Sequence, residues 1–267
     1  MIERQFGIEI LPTWHDTPDM TEAAYIAEVR LELAKILRSK AGRALANSLQ
    51  YQHQRVLVMP FEGGGCNAQE DGVTPGSKQS VVLFTPRILR RSPCQAGKRS
   101  QNNATLPHEV FFHELVHALR RISGNHRPAR LKGKLMSYTH SEEFVAILAT
   151  NIFIADRTNP QKTGLRANHQ GHSSLEKELA DSFHYFKNGT AAFHLIDNFC
   201  NQNRGFTRLL SQIRAPFNPI AAIYQNRRKA FEMAAAGDAD SAFESLIPMD
   251  YFQAPSGAWH RIRPFPH

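Results

Sequence analysis

The sequence predicts an α+β domain: a small sheet, a central helix and additional helices at both ends. Three observations lead there. Apolar residues recur at three and four over most of the chain, two short β-branched runs interrupt them early, and the composition is globular. The 267 residues are 42% hydrophobic, 9% aromatic and 21% charged. That excludes a disordered, collagen-like or coiled-coil chain and allows a sizeable core.

Between Met20 and Leu37, the residues Tyr25, Ile26, Val29, Leu33, Ile36 and Leu37 fall on one helical face. A shorter helix is expected from Ala41 to Leu49. The period then changes: Arg55–Met59 and Gln79–Phe84 are β-branched runs bounded by Pro60 and Pro86, and read as two strands joined by a Gly-rich loop. Residues 87–105 are basic and polar and predict an exposed, mobile loop. A helix begins near Pro107, with Thr105 as cap, and runs to Ile122, where Ser123-Gly124-Asn125 stops it. Another covers Ser141 to Asp156. Helical patterns recur at Leu175–Phe186, Ala191–Cys200, Arg204–Ile213 and Ile220–Ala236, before a Pro-punctuated tail from Pro255 to His267.

Lys plus Arg number 32 against 24 Asp plus Glu, a net charge of +8, with a pI near 9.6. The surplus is local. Residues 87–134 hold eleven Lys/Arg and only Glu109 and Glu114 on the acidic side, so the rest of the chain is nearly neutral. Cys66, Cys94 and Cys200 are too few and scattered for a disulfide framework or a zinc knuckle, which points to a reducing cytoplasm. No run approaches the roughly 18–20 apolar residues of a membrane helix. Glu3 and Glu9 interrupt the N-terminus, so no classical signal peptide is expected.

The chemistry concentrates at His113-Glu114-x-x-His117. On a helix, positions i and i+4 share a face, so both imidazoles reach one Zn²⁺ while Glu114 projects beside them to hold a water. Chance would give this pattern in about one of thirty chains of this composition. His108 and His113 are five apart, which turns their side chains away from each other, so that pair is not expected to ligate. Phe111, Leu115, Ala118, Leu119 and Ile122 supply a separate apolar stripe, so the histidines are not needed to fill the core. One Zn²⁺ per chain is the cofactor this predicts.

A catalytic zinc needs a third protein ligand and an open position. Glu142 and Glu143 open the next helix. Thr139-His140-Ser141-Glu142 fits a capping box, which would turn Glu142 back to the backbone and leave Glu143 to face the metal. Small Ala146, one turn on, allows a close approach of the two helices. Glu142, His126 and His140 are the alternatives.

With these residues in place, the chain resembles the gluzincins, and Glu143-Phe144-Val145-Ala146 is similar to the third-ligand helix of lethal-factor-like and Pro-Pro endopeptidases. A broader resemblance spans roughly residues 56 to 170. Cys66-Asn67-Ala68, Gly76 to Pro86, Phe112 to Arg120, Glu142 to Ile147, and Leu165-Arg166-Ala167-Asn168-His169, in that order, resemble the NleD-type effector zinc metallopeptidases. The resemblance implies a zincin-like fold and a protease that cuts proteins inside a target cell. It implies synthesis in a bacterial cytoplasm and delivery by type III or type VI secretion, with a secretion apparatus or chaperone as partner. It also suggests a tyrosine oxyanion donor. The residue seven before Glu143 is Met136, and the available tyrosine is Tyr138, five before.

The resulting expectation is a zinc endopeptidase: His113, His117 and Glu143 hold the metal, Glu114 moves the proton, and Tyr138 donates to the oxyanion. The strand Ser80–Phe84 is expected to be the cleft edge on which substrate pairs, placing Val82 and Phe84 at the substrate. Arg166 and His169 line the cleft or lie in a surface loop. The expected division is an N-terminal helical segment 1–50, a catalytic core 51–190 and a C-terminal helical extension 191–267 packed on it. Two readings compete: an antibacterial protease toxin, and a basic nucleic-acid-binding protein with a structural metal, which lacks any recognition signature. No membrane partner is expected. The basic band flanking the zinc helix would steer an acidic protein substrate.

Overall fold

The computed structural model describes residues 6–12, 21–61, 68–72, 79–90, 106–157 and 191–236, together with Arg4 and two tail strands. Its fold is α+β. Strands β1 (Ile8–Ile10), β2 (Val56–Met59), β3 (Gln69–Gly72) and β4 (Ser80–Leu83) form one sheet in the order β1-β2-β4-β3. β1, β2 and β4 are parallel, with Ile8 opposite Val56 and Val56 opposite Ser80; β3 runs antiparallel to β4, with Glu70 opposite Val82. Val56, Val58, Ser80 and Val82 are buried while the residues between them are half-buried, the period of two that turns one face to the helices.

This sheet differs from the expected one in a way that matters for function. The expected cleft-edge strand, β4, is internal, paired with β2 on one side and β3 on the other. It therefore has no free backbone for a substrate. Val82 and Phe84 are completely buried, so neither side chain meets a substrate. The edge beside β4 is β3, from the stretch read as loop.

Helix α1 (Glu22–Leu37) is capped by Thr21, whose hydroxyl accepts from the Ala24 N–H at 3.2 Å. It buries Tyr25, Val29, Leu33 and Ile36, and the Tyr25 hydroxyl donates to the Phe84 carbonyl at 3.1 Å. Helix α2 (Lys40–Gln50) follows at once, capped by Ser39. A Cβ at Gly42 would sit 1.9 Å from the Ile36 carbonyl oxygen, so only glycine lets the two helices turn so tightly.

The stretch 87–105, read as a mobile loop, begins instead as a short helix, α3 (Pro86–Arg90). Its cause is packing and charge: Leu89 is buried, Arg87 donates to Glu28 at 2.7 Å, and Arg90 pairs with Glu32. Residues 91–105, including the proposed cap Thr105, lie outside the described residues. Glu32 is fully buried; burial pushes its carboxyl up, but His108, Lys35 and Arg90 outweigh this and hold it down to about 2.

Helix α4 (Pro107–Ile122) runs through the centre, against α1, α2, the sheet and α5 (Ser141–Arg157). Its N-cap is Leu106, whose N–H donates to the Glu109 carboxylate at 3.1 Å. Ring stacks tie it down: Phe111 on Phe84 at 4.5 Å, and Phe112 on Phe153 at 4.3 Å. Helices α6 (Ala191–Gln202), α7 (Arg204–Ser211) and α8 (Pro219–Ala235) close the far side. Buried apolar residues from Ile8 to Ile223 form one cluster, so these helices share the core of the sheet and of α4. In the tail, β5 (Tyr251–Gln253) pairs antiparallel with β6 (Trp259–Arg261). The expected helix Leu175–Phe186 lies outside the described residues. Among those described, no helix is long and apolar enough to cross a membrane.

Candidate metal centre

Helix α4 places His113 and His117 one turn apart, and α5, packed against it, brings Glu143 from its first turn. The His113 and His117 Nε2 atoms are 3.1 Å apart. Glu143 Oε2 lies 3.2 Å from His113 Nε2, and Glu143 Oε1 lies 3.3 Å from His117 Nε2. Both histidines are buried, and Glu143 is 15% exposed, which leaves one side open.

These separations test the fit to a metal. Ligands on a tetrahedral Zn²⁺ at 2.0–2.1 Å are about 3.3–3.4 Å apart, close to all three distances here. Two imidazole nitrogens facing at 3.1 Å can share at most one proton, whereas a cation between them satisfies both lone pairs. The charge balance agrees. Burial disfavours a proton on His117, but the Glu143 carboxylate, aided by Glu114 and Glu70, prevails and holds its pKa above the ordinary value. The cluster attracts positive charge, and its three donors lie close enough to bind one metal ion.

Compared with family models, curated proteins and solved structures, the chain matches none.

A second group, His117, His126 and Glu142, is also close enough for a metal. Its carboxylate is already engaged. Arg120 donates to both Glu142 oxygens, Nε to Oε2 at 2.5 Å and Nη2 to Oε1 at 2.8 Å, and the Arg127 N–H adds a third bond at 3.1 Å. Burial raises the Glu142 carboxyl pKa, yet Arg120 more than reverses this and leaves it lowered. The expected capping box is thus not the reason Glu142 is diverted. Helix α5 is capped by His140, whose Nδ1 accepts from the Glu143 N–H at 3.3 Å. Thr139, just before it, has φ 64° and a tight Tyr138 C=O to His140 N–H bond of 2.6 Å, a strained turn that aims the helix.

Glu114 follows the first ligand on α4, largely buried, and its charge acts on His117. Tyr138 ends a 3-10 helix (Gly133–Tyr138) and is fully buried, its ring edge on Phe144 at 5.2 Å. It packs as a core residue. His108, the decoy in the sequence, is buried on another side of α4, 3.4 Å from Glu32. Arg166 and His169 lie outside the described residues. Cys200 is buried in α6, and burial pushes its thiol up to about 12, far from a nucleophile's range.

Four members of the basic band are paired with acidic groups of the fold. Arg87 and Arg90 pair with Glu28 and Glu32, Arg120 with Glu142, and Arg121 with Glu70 on β3 at 2.5 Å. Among the described residues of the band, Arg90, Arg127, Arg130 and Lys132 are exposed. Sequence reasoning missed Arg120 as a site residue. Its only signal was position: three residues after His117, an Arg on the ligand-bearing side of a central helix.

Proposed function

We propose that this chain is a zinc-dependent endopeptidase with a zincin-like fold, an NleD-type bacterial effector that hydrolyses peptide bonds in target-cell proteins. The observation that carries the reading is the triangle of His113 Nε2, His117 Nε2 and Glu143 carboxylate oxygens at 3.1–3.3 Å. Bound there, zinc supplies Lewis acidity and lowers the pKa of water.

The chain's own groups do the rest. His113 and His117 enter the site rigidly from one buried helix face, and Glu143 closes the third corner from α5. Glu114 takes a proton from the attacking water and returns it to the departing amine. The outer edge of β3, free of any strand among the described residues, is the surface on which an extended substrate pairs by backbone hydrogen bonds. The protein is made in a bacterial cytoplasm and delivered to the target cell by a dedicated secretion apparatus.

The test is metal analysis combined with cleavage-site mapping by mass spectrometry in a host-cell lysate, comparing wild type with Glu114→Gln. New peptide termini in the wild-type sample alone support the reading. Identical termini in both samples refute it. Growth arrest of bacteria expressing the wild type in their cytoplasm, relieved in Glu114→Gln, would redirect the target from host to bacterial proteins.

A further inference from the structure

We infer that Arg120 determines where the metal ion binds, by withholding Glu142 from a competing site that shares His117. The inference rests on the metal centre proposed above and concerns which of two neighbouring sites is filled.

Glu142 and Glu143 are consecutive, and each lies near His117 with one further histidine: His113 for Glu143, His126 for Glu142. The His126 ring stands edge-on to that of His117, centroids 6.2 Å apart. By distance alone, either group would take a divalent cation, and a ligand shared between them makes the two sites rivals. Their difference lies in what already occupies the carboxylate. Glu143 faces imidazoles, at 3.2 and 3.3 Å. Glu142 is held by the Arg120 guanidinium on both oxygens, at 2.5 and 2.8 Å. A divalent cation brought to Glu142 would sit beside a buried positive charge, a repulsion strengthened by the low dielectric.

Arg120 cannot swing aside. Its Nη1 donates to Asn203 Oδ1 at 2.7 Å, and Nη2 donates to the Asn125 carbonyl at 2.8 Å and to Gln202 Oε1 at 3.0 Å. The Phe199 ring lies 5.6 Å from its guanidinium carbon. Asn203 is the N-cap of α7, and its amide also donates to Ser123 Oγ at 3.3 Å rather than capping its own helix. The C-terminal helices therefore hold the guanidinium, the guanidinium holds Glu142, and Glu143 and His113 are left to define the site. Arg120 is a positioning residue, acting through Glu142.

Remove the guanidinium and Glu142 becomes a buried carboxylate beside two histidines, which is a metal site. Cobalt titration of the full-length protein, followed by the visible d–d bands and by bound-metal stoichiometry, reads this directly. Wild type is expected to bind one Co²⁺ with a single set of bands, Arg120→Gln one Co²⁺ with altered bands as the ion divides between the two sites that share His117, and Arg120→Gln/His126→Gln one Co²⁺ with the wild-type bands restored. Arg120→Lys, which keeps a cation beside Glu142, is expected to keep the wild-type bands. His126→Gln in the wild-type background is expected to leave stoichiometry and spectrum unchanged. A single equivalent with the wild-type spectrum in Arg120→Gln overturns the inference alone. Loss of the ion in His126→Gln also overturns it, and decides the matter even if Arg120→Gln fails to fold. Absence of cobalt binding by wild type overturns the metal centre itself.

Discussion

Glu142 and Glu143 are neighbours in the chain and opposite in role. Both leave the first turn of α5 toward α4, and both lie near His117. Glu143 sets its two oxygens 3.2 and 3.3 Å from imidazole nitrogens, while Glu142 gives both of its oxygens to Arg120. Distance makes two candidate metal sites of them, and in the second the carboxylate is already held by a guanidinium.

The largest effect should come from breaking the available side. Glu143→Ala is expected to reduce bound zinc to background and peptide cleavage by at least about 10³-fold. Glu142→Gln is expected to keep the full metal content, since its amide oxygen still accepts from Arg120. Metal analysis of the two purified variants separates the sides cleanly.

Next in size is the stability of the occupied side. Arg120→Leu leaves a buried carboxylate without its partner and should destabilise the fold by about 3–5 kcal/mol in chemical denaturation. Arg120→Leu/Glu142→Leu should recover most of the loss, because the uncompensated charge is gone.

The same pair gives a pH dependence. Glu142 has a folded pKa below its ordinary value of 4.5. Its charge therefore contributes stability fully above that value, and the contribution fades as pH falls through the lowered folded pKa. The stability gap between wild type and Glu142→Gln should be greatest at neutral pH and shrink below about pH 4.5. A gap that widens on acidification would mean that Glu142 is not held as an anion.

The smallest effect concerns Tyr138. A fully buried ring packed on Phe144 accounts for that side chain as core, so Tyr138→Phe should cost about 1 kcal/mol of stability and change kcat less than about threefold. A fall of about 100-fold in kcat with KM unchanged would restore its role as oxyanion donor.

The centre of the site was legible in the sequence because its geometry is local. His113 and His117 are one helical turn apart, so their meeting needs nothing beyond α4. Glu143 was legible by elimination, although the elimination of Glu142 rested on a capping box that does not form. The real reason, Arg120, is 22 residues away in sequence. Two further ion pairs of the band are more remote still: Arg87 with Glu28 across 59 residues and Arg121 with Glu70 across 51. A charge count shows the surplus but not which of its members are paired. Strand β3 was illegible for a different reason. Gln69-Glu70-Asp71-Gly72 has no strand propensity, and its conformation comes from pairing with β4 and from Glu70 bonding Ser80 and Arg121. Missing it placed the sheet edge one strand too far in, and gave the fully buried Val82 and Phe84 a surface role.

The central claim is that the triangle of His113, His117 and Glu143 is a catalytic zinc site with Glu114 as its base. Zinc content and peptide-bond cleavage, measured side by side for wild type and Glu114→Gln, test it most directly. We expect one zinc in both proteins and cleavage in wild type alone. Equal cleavage by the two proteins, or no zinc in wild type, would contradict it.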